Sequence, residues 1–404
     1  MQQKGGIAVV WEQTREKGAE LASLGQTTAR LARIQRHWAK VMEKLPSQPQ
    51  GIGGSDRLTP IQNFGSNPGR LKGYVYAPSR LAESPGLVVV LHGCTQTAAG
   101  YDVGAGWSTL ADRYGFVVLY PEQQNANNPR NCFNWFQPAD VTRGRREAGS
   151  ISQMVAYAIK THGIDRRRVF VTGLSAGGAM TATMLATYPD VFAGGAIIAG
   201  LPHGAADSVP EAFDAMFQGR SRTASEWGNL VRSASRHKGP WPKVSIWHGG
   251  ADTTVVPGNA DELVKQWTDV HGLPQQPSGK EVVDGHPREI WRNDGGEVVV
   301  ESYAIASMAH GTPLGVGADE EALGRSGPFL LDVGISSSYH IAKFWGLTGE
   351  RLSQPAEPKT AVSEAAAEPE AEPQSQSAAP SSRGSVDPGR IIADALRAAG
   401  LMRN

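Results

Sequence analysis

The stretch RVFVTGLSAGGAM, residues 168–180, decides the fold of this 404-residue chain. It begins with β-branched and aromatic residues, which favour a strand, and it leads into Ala, Met, Thr and Leu residues at helical spacing. Between the two, Gly-x-Ser-x-Gly predicts a sharp turn, because Gly173 and Gly177 tolerate the close backbone packing that such a turn requires. The hydroxyl of Ser175 is therefore predicted to project from the end of a strand, with a helix N-terminus behind it.

Glycine is common in this chain, with 48 residues, so the Gly-x-Ser-x-Gly pattern is weak evidence when it is taken alone. A Gly/Ser-rich loop is the alternative interpretation. The predicted strand before the pattern and the predicted helix after it favour the turn, because an exposed nucleophilic serine requires this strand-turn-helix context.

Composition limits the classes of function open to the chain. Basic and acidic side chains balance at 39 each, so charge gives no reason to expect a nucleic acid or a membrane surface as partner. No run of about 18 apolar residues occurs, so we expect no transmembrane helix. No His/Cys cluster has the spacing of a zinc site, and we expect neither a metal nor an organic cofactor.

The first residues give an expectation about the cellular compartment. The apolar run at residues 7–11 is cut off by Glu12 and is too short for the hydrophobic part of a signal peptide. The sequence taken alone therefore predicts a cytoplasmic protein.

Strands alternate with helices through the middle of the chain. We predict strands at 70–76, 87–91, 116–120, 169–172, 193–199, 244–248 and 298–306, and helices at 107–114, 150–161, 178–188, 261–270 and 336–345. This alternation predicts an α/β fold with a mostly parallel sheet and helices on both faces. In such folds the functional sites lie in the loops at the carboxyl ends of the strands.

Composition divides the chain into four segments. Leu, Ile and Trp recur at helical spacing in residues 1–50 and predict an N-terminal helical extension. Residues 51–350 carry the alternating elements and form the predicted catalytic domain. Residues 351–385 are rich in Pro, Ala, Glu and Ser, which predicts a disordered linker. Residues 386–404 predict a short amphipathic helix that begins near Pro388.

A nucleophilic serine needs a base to take its proton and an acid to orient that base. In α/β-hydrolases the three residues follow one another along the chain in the order serine, acid, histidine. Asp252 follows the predicted strand at 244–248, and His310 follows the predicted strand at 298–306. Because the carboxyl ends of parallel strands lie at one edge of the sheet, we predict a catalytic triad of Ser175, Asp252 and His310.

Other histidines and acids are weaker candidates for these roles. His248 precedes Asp252 at the end of the same strand, and we interpret it as structural. The remaining alternatives are two loop histidines, a histidine beside a helix end that we expect to be solvated, and two further acids: His203, His286, His271, Asp207 and Asp284. Chain order and position at a strand end favour Asp252 and His310 over all of them.

The tetrahedral intermediate of acyl transfer carries an oxyanion, which requires backbone N–H groups aimed at it. One donor belongs to the residue after the nucleophile, here Ala176, and the other comes from a loop after an early strand. That loop is LHGCTQ, residues 91–96, and the candidate donor is the N–H of Cys94. His92 in the same loop could be mistaken for a base. We interpret it as ordering the loop, in a position to contact the substrate.

Five short motifs occur in one order along the chain: LHGCTQ (91–96), NCFNWF (131–136), GLSAGGAM (173–180), WHGGAD (247–252) and MAHGTP (308–313). Together they resemble the polyhydroxybutyrate depolymerase family of esterases, which also includes feruloyl and acetylxylan esterases. The resemblance spans roughly residues 71–346. It implies an α/β-hydrolase fold and hydrolysis of carboxylic esters through an acyl-enzyme. It also implies Ser175 as nucleophile, Asp252 as acid and His310 as base, with the oxyanion near Cys94 and Ala176.

The resemblance bears on three further side chains. It implies that Trp135 lines the acyl pocket, whereas a core or loop-packing aromatic is the plain alternative. It also implies a disulfide between Cys94 and Cys132, which lie in two strand-end loops. A disulfide favours an extracellular location over the cytoplasmic one. Two reduced thiols packed as small apolar groups are the alternative.

The substrate is less well defined than the chemistry. Secreted polymer-degrading members of the family carry a polymer-binding domain after a linker, whereas here the linker leads to one short predicted helix. We therefore predict short-chain esters or 3-hydroxyalkanoate oligomers as substrates. Feruloyl or acetylxylan esters are the alternative within the family, and a peptidase or thioesterase is the alternative within the fold. Outside the enzymes, the alternative is a granule- or partner-binding protein with a hydrolase scaffold. We make no prediction of the oligomeric state.

Overall fold

A ten-stranded sheet runs through the part of the chain that the computed structural model describes, residues 56–316 and 323–349. The strands are β1 (Thr59–Ile61), β2 (Lys72–Tyr76), β3 (Leu87–Leu91), β4 (Val117–Glu122), β5 (Val169–Leu174), β6 (Gly194–Ile198), β7 (Lys243–Gly249), β8 (Gly279–Val283), β9 (His286–Arg292) and β10 (Val298–Ile305). A separate two-stranded sheet pairs β11 (Thr312–Leu314) with β12 (Leu330–Asp332). The helices are α1 (Ala98–Ala105), α2 (Trp107–Tyr114), α3 (Arg146–His162), α4 (Ala176–Thr187), α5 (Val209–Gln218), α6 (Ala224–Ser233), α7 (Gly258–Val270) and α8 (Ser337–Phe344).

The order of strands across the large sheet is β1-β2-β4-β3-β5-β6-β7-β10-β9-β8. The central strands from β4 to β10 pair in parallel. At one edge β2 and β1 add antiparallel strands, and at the other β9 and β8 do the same. The parallel centre brings the ends of β3, β5, β6, β7 and β10 to one edge of the sheet, where the predicted site residues follow them.

The sheet is covered on both faces, as its sequence predicts. Strand β3, LVVVL, is buried along its whole length, and successive side chains of a strand point to opposite faces. Val89 belongs to a core cluster with Met154 of α3 and Trp267 of α7. Its neighbour Val90 belongs to a second cluster with Leu110 of α2. The expected α/β fold with a mostly parallel sheet is therefore confirmed.

Helix α3 starts earlier than its sequence indicates. We predicted a helix at 150–161, whereas α3 begins at Arg146. Glu147 lies in the first turn of α3, where a carboxyl group favours helix formation. Gly149 is a helical residue rather than a loop residue, and a Cβ there would lie 2.9 Å from the backbone of Gly144.

The strand predicted at 70–76 is β2, whereas β1, β8 and β9 and helices α1, α5 and α6 were not predicted. Strands β8 and β9 form a hairpin whose turn is Asp284 and Gly285, with φ of 49° and 82°. An Asp-Gly pair is typical of such turns, so a local signal was present. Strand β8 is largely exposed and polar, which is why its composition did not indicate a strand.

Three of the predicted segments lie outside the described residues: the N-terminal helical extension, the linker at 351–385 and the C-terminal helix at 386–404. Within the described ranges, no helix combines the length and the apolar character that crossing a membrane requires.

Candidate active site

The turn between β5 and α4 places Ser175 at the carboxyl edge of the sheet. β5 ends at Leu174, α4 begins at Ala176, and Ser175 between them has φ 58° and ψ −117°. This backbone conformation is unfavourable for a residue with a side chain, and strain of this kind is concentrated at functional sites. The N–H of Ser175 donates to the carbonyl of Ile198 at the end of β6, 2.9 Å away. The strained turn is therefore tied to the neighbouring strand.

Close backbone contacts account for both glycines of the turn. A Cβ at Gly177 would lie 2.2 Å from the carbonyl oxygen of Leu91 in β3, and one at Gly173 would lie 2.5 Å from the backbone of Gly177. No side chain can occupy such positions without moving the backbone. The close packing that Gly-x-Ser-x-Gly predicts is present here.

Ser175 is only 9% exposed, so its hydroxyl does not project into open solvent. It lies at a cavity of about 450 Å³, which Ala176 also lines. The hydroxyl makes no capping hydrogen bond to helix α4. The cavity walls are mainly apolar and aromatic, with contributions from Trp135, Phe136, Leu201, Phe213, Met216 and Val255.

Asp252 lies in the loop after β7, and its carboxylate is held by several donors. Oδ1 accepts the backbone N–H groups of Thr254 at 2.8 Å and Val255 at 2.9 Å. Oδ2 lies 2.7 Å from Nδ1 of His310. Because the carboxylate can only accept, the proton of the imidazole is on Nδ1. Nε2 of His310 is then free to accept a proton.

The loops that carry these two residues are packed together through their backbones. The N–H of Gly250 donates to the carbonyl of Ile305 at 2.8 Å, and the N–H of Ala251 donates to that of Met308 at 3.0 Å. A Cβ at Gly249 would lie 2.2 Å from the carbonyl oxygen of Met308. The glycine pair in WHGGAD therefore allows the loop after β7 to approach the loop after β10.

The environment of Asp252 favours its ionised form. Burial opposes ionisation, since the residue is 3% exposed, but the charge of His310 and hydrogen bonds from His310 and His248 outweigh it. The pKa of Asp252 is therefore held well below its usual range. His310 is 7% exposed, so the pair is largely shielded from water, which strengthens its electrostatic interaction.

His248, interpreted from the sequence as structural, lies next to this pair. Its Nε2 is 2.8 Å from the carbonyl oxygen of Val255 and 3.5 Å from Oδ2 of Asp252. It therefore ties the loop after β7 to the end of that strand. Its Nδ1 is buried and has no hydrogen-bond partner among the described residues.

Strand order connects Ser175 with the acid and the base. Strand β6 lies between β5, which leads to Ser175, and β7, which leads to Asp252; β10, which leads to His310, lies beside β7. Val255, whose N–H binds the Asp252 carboxylate, lines the same cavity as Ser175. All three predicted residues therefore follow strands that end at the same edge of the sheet.

Two backbone N–H groups at the cavity lack an acceptor. Cys94 and Ala176 both line the cavity with Ser175, and the hydrogen bonds of the described ranges leave the N–H of each without a partner. Ala176 is the first residue of α4, where no intrahelical acceptor exists. Both groups are suited to bind an anionic oxygen, as the sequence predicts.

A disulfide joins Cys94 to Cys132, so these cysteines are not free thiols. Next to this bond, the N–H of Thr95 donates to the carbonyl of Arg130 at 2.7 Å. The loop after β3 and the loop after β4 are thus linked twice, once covalently.

His92 lies behind this loop and not in the cavity. It is 1% exposed. Its Nδ1 donates to the carbonyl of Gly93 at 2.8 Å, and its Nε2 accepts the N–H of Gln123 at 3.1 Å. Burial lowers the pKa of His92, which favours the neutral ring that this pair of bonds requires. The geometry fits the loop-ordering interpretation, since both ring nitrogens bind backbone groups of the two loops.

Sequence reasoning missed the residue that holds the loop around Trp135. Glu147 of α3 is 1% exposed; it accepts the backbone N–H of Asn134 at 2.8 Å, its side-chain amide at 2.7 Å and the amide of Gln123 at 2.6 Å. Burial and the nearby Asp140 raise the pKa of Glu147 to about 8, against these hydrogen bonds. No local pattern identifies such a residue, since its partners are distant in the sequence.

The three alternative histidines contact other parts of the protein. Nδ1 of His203 lies 3.2 Å from the hydroxyl of Thr183. We expected His286 to lie in a loop, whereas it is the first residue of β9. His271, expected to be solvated, is half-buried and donates to the carbonyl of Pro242 at 3.0 Å.

The two alternative acids are also engaged elsewhere. Oδ2 of Asp284 lies 2.8 Å from Nε2 of His340 in α8, and the backbone N–H of Asp207 donates to Glu211. Within the described ranges, no group of His, Cys, Asp and Glu residues is arranged to hold a metal ion.

The strand order, the elbow at Ser175 and the paired Asp252 and His310 define the chain as an α/β-hydrolase. Its sequence specifies the family further. Residues 72–287 match the family described as Esterase PHB depolymerase, and the chain belongs to that family. It is a serine esterase.

Relatives with known activity support this assignment. The chain is 48% identical over 293 residues to poly(3-hydroxyalkanoate) depolymerase C of Paucimonas lemoignei, covering 72% of this chain and 70% of the relative. It is 38% identical over 275 residues to an acetylxylan esterase of Coprinopsis cinerea, covering 66% and 72%. Among solved structures, acetyl xylan esterase from Aspergillus awamori matches with a TM-score of 0.58 and 31% identity, over 63% of this chain and 93% of that one.

Proposed function

We propose that this esterase hydrolyses short-chain and 3-hydroxyalkanoate esters through an acyl-enzyme on Ser175. The observation that carries the proposal is the hydrogen bond between Nδ1 of His310 and Oδ2 of Asp252, 2.7 Å long, at the strand edge where Ser175 forms its turn. This pair leaves Nε2 of His310 as an acceptor, and an acceptor is what a serine hydroxyl needs to become a nucleophile.

In the acylation step, Oγ of Ser175 attacks the ester carbonyl carbon while Nε2 of His310 takes the hydroxyl proton. Asp252 stabilises the imidazolium that forms. The intermediate collapses with cleavage of the bond between the carbonyl carbon and the alcohol oxygen. The alcohol leaves with the proton from His310.

In the second step, water gives its proton to His310 and its oxygen attacks the acyl-enzyme. The acid is released, and Ser175 regains its proton. In both steps the negative charge on the carbonyl oxygen is bound by the N–H groups of Cys94 and Ala176, for which the described part of the chain offers no other acceptor.

The choice of acyl group is supported by the cavity. A volume of about 450 Å³ with apolar and aromatic walls lies at the lower end of the range for small-molecule sites. It suits a short, weakly polar acyl group. The similarity to a poly(3-hydroxyalkanoate) depolymerase favours hydroxyalkanoate esters among such substrates.

A feruloyl-type ester is the second candidate. Trp135 and Phe136 meet edge to face at the cavity, with their ring centroids 5.6 Å apart, and an aromatic acyl group can stack against such rings. The acetylxylan and feruloyl esterases among the relatives agree with this alternative.

Initial rates on 3-hydroxybutyrate trimer and on methyl ferulate test the proposal. Wild type should cleave the trimer faster. Ser175→Ala should lose activity, whereas Ser233→Ala, which changes an exposed helix residue, should not. Faster cleavage of ferulate would favour the second candidate.

A fluorophosphonate probe separates the enzyme from a binding scaffold, since it labels an activated serine. Full activity or labelling in Ser175→Ala would overturn the assignment of the nucleophile. An unlabelled wild type would favour the scaffold interpretation.

A further inference from the structure

One of the described residues that line the cavity beside Ser175 has a charged side chain. Of the described residues that line it, Arg130 alone is ionised at neutral pH, and the others are apolar, aromatic or neutral. Arg130 is half-buried, and it takes part in none of the ion pairs among the described residues. A guanidinium without an ion-pair partner among the described residues, beside largely apolar walls, is available to an anionic group of a ligand.

Other partly buried arginines of the described ranges engage a partner through the guanidinium. Arg168 donates to the carbonyl of Gly346 at 3.2 Å. Arg222 lies over the ring of Trp227, 5.0 Å from its centroid. The guanidinium of Arg232 lies close to the carboxylate of Asp269, and that of Arg288 lies 2.6 Å from Glu301. These pairs stabilise the fold. Arg130 has no such role, which makes a function in binding the stronger interpretation.

The backbone of Arg130 is fixed relative to the predicted oxyanion donors. Its N–H donates to the side chain of Asn128 at 3.0 Å, and its carbonyl accepts the N–H of Thr95 at 2.7 Å. Two residues further on, Cys132 is bonded to Cys94. Arg130 is therefore held at a set position from the site where an ester carbonyl would react, and such preorganisation favours affinity.

The chemistry of a guanidinium identifies the class of group that it would bind. Its planar N–H donors match a carboxylate, and the apolar surroundings strengthen the interaction. In a linear oligomer of hydroxyacids, the terminal carboxylate is always on the alcohol side of every ester bond. It therefore leaves with the first product, the alcohol, and is absent from the acyl-enzyme.

We propose that Arg130 binds the terminal carboxylate of hydroxyalkanoate oligomers and so selects oligomers with a free acid end. The proposal rests on the proposed function, since it concerns the same cavity and the same nucleophile. Ser175 attacks the ester carbonyl, the bond from carbonyl carbon to alcohol oxygen breaks, and the hydroxyacid leaves with a proton from His310. Arg130 acts in this acylation step and not in hydrolysis of the acyl-enzyme.

Two substrates that differ in one charge test the proposal. These are 3-hydroxybutyrate trimer as the free acid and the same trimer with a terminal carboxamide, which is neutral and adds no ester bond. For wild type, kcat/KM should be about tenfold higher on the acid, as expected for roughly one charge-assisted hydrogen bond. High salt should reduce this preference.

Variants assign the preference to the residue. In Arg130→Met the ratio of kcat/KM between acid and carboxamide should approach one, and Arg130→Lys should retain part of it. Arg236→Met removes an exposed arginine that does not line the cavity and should keep the full ratio. The rate of acyl-enzyme hydrolysis should be the same in wild type and Arg130→Met.

The outcomes separate this proposal from the proposed function. Equal kcat/KM on the two trimers in wild type, or an undiminished ratio in Arg130→Met, would overturn the role of Arg130 while leaving the oligomer esterase intact. If wild type cleaves neither trimer but still hydrolyses methyl ferulate, the oligomer assignment fails, and the proposal for Arg130 fails with it.

Discussion

His310 donates its Nδ1 proton to Oδ2 of Asp252 across 2.7 Å, while Oδ1 of the same carboxylate accepts two backbone N–H groups. In Asp252→Asn the amide oxygen must continue to accept those backbone groups, so the amide nitrogen faces His310. The imidazole then has to carry its proton on Nε2 and cannot accept one from Ser175. We predict that kcat on p-nitrophenyl butyrate falls by about three to four orders of magnitude.

Asp294→Asn is the matched control, since it makes the same chemical change at an exposed turn, and it should retain wild-type kcat. The stability of both variants should be measured by urea unfolding. A folded Asp252→Asn with kcat within a few-fold of wild type would contradict the assignment of the acid.

A second histidine supports the same carboxylate. Nε2 of His248 is 2.8 Å from the carbonyl oxygen of Val255 and 3.5 Å from Oδ2 of Asp252. In His248→Leu the carbonyl oxygen of Val255 and Oδ2 of Asp252 lose the N–H of Nε2. We therefore expect the free energy of unfolding to fall by about 1–3 kcal/mol. We also expect kcat to fall more than KM changes, since Asp252 acts on the base and not on substrate.

His248→Gln tests whether the hydrogen-bond donor at this position is required or the imidazole ring itself. Its amide nitrogen can replace Nε2 as a donor to Val255, so this variant should recover part of the stability and of kcat. Urea unfolding and initial rates on p-nitrophenyl butyrate measure both effects. Wild-type kcat in His248→Leu would mean that His248 is purely structural, as its sequence position suggested.

Local signals made much of the fold and the reacting groups predictable. Gly173 is required by a backbone contact within the elbow and Gly177 by one with β3, and the Gly-x-Ser-x-Gly motif indicates both. Strands β3, LVVVL, and β5, VFVTGL, are largely apolar because both of their faces are buried. Asp252 and His310 follow such strands, and chain order was enough to select them.

The residues that position these groups left no comparable signal. Glu147 binds Asn134 and Gln123, and Arg130 is distinguished by the absence of an ion pair, which only the packed structure reveals. Strands β8 and β9, which lie beyond the parallel centre, lacked the apolar run that marked the central strands. His92 was interpreted as ordering its loop because it precedes Gly93 at the end of a strand. The hydrogen bond that it accepts from the N–H of Gln123 is a tertiary contact, which the sequence does not indicate.

Glu147 should make the stability of the protein depend on pH. Its pKa in the folded protein is raised to about 8 by burial and by Asp140, whereas an unfolded glutamate titrates near its ordinary value of about 4.3. Between those values the folded state holds a proton that the unfolded state lacks. The contribution of Glu147 is therefore complete below the lower value and is lost as pH rises towards about 8.

Glu147→Gln isolates this effect, because glutamine stays neutral at every pH. Its unfolding free energy, measured by urea unfolding between pH 5 and pH 8, should vary less than that of wild type, by up to about 1.4 kcal/mol per pH unit. Glu289→Gln, a change at a partly exposed position in β9, serves as the control. Parallel pH profiles for wild type and Glu147→Gln would contradict the prediction.

The disulfide between Cys94 and Cys132 should support both stability and catalysis. It closes a loop with a sequence separation of 38 residues, for which the chain-entropy account gives a loss of about 4 kcal/mol on removal. In Cys94→Ala/Cys132→Ala the loop that carries the N–H of Cys94 also loses its covalent link to the loop of Trp135. Removing one oxyanion donor outright lowers kcat by about a hundredfold or more. Because the donor is here displaced and not removed, we expect kcat to fall by about tenfold, even well below the unfolding temperature.

Two comparisons separate the structural effect from the catalytic one. Wild type treated with a reductant should show the same loss of kcat as the double variant, because the two differ only in the thiols. The Thr95 N–H still donates to the carbonyl of Arg130 in both, so a residual activity above that of Ser175→Ala is expected. If kcat at low temperature is unchanged while urea unfolding shows the loss of stability, the bond holds the fold together but does not position the oxyanion donor.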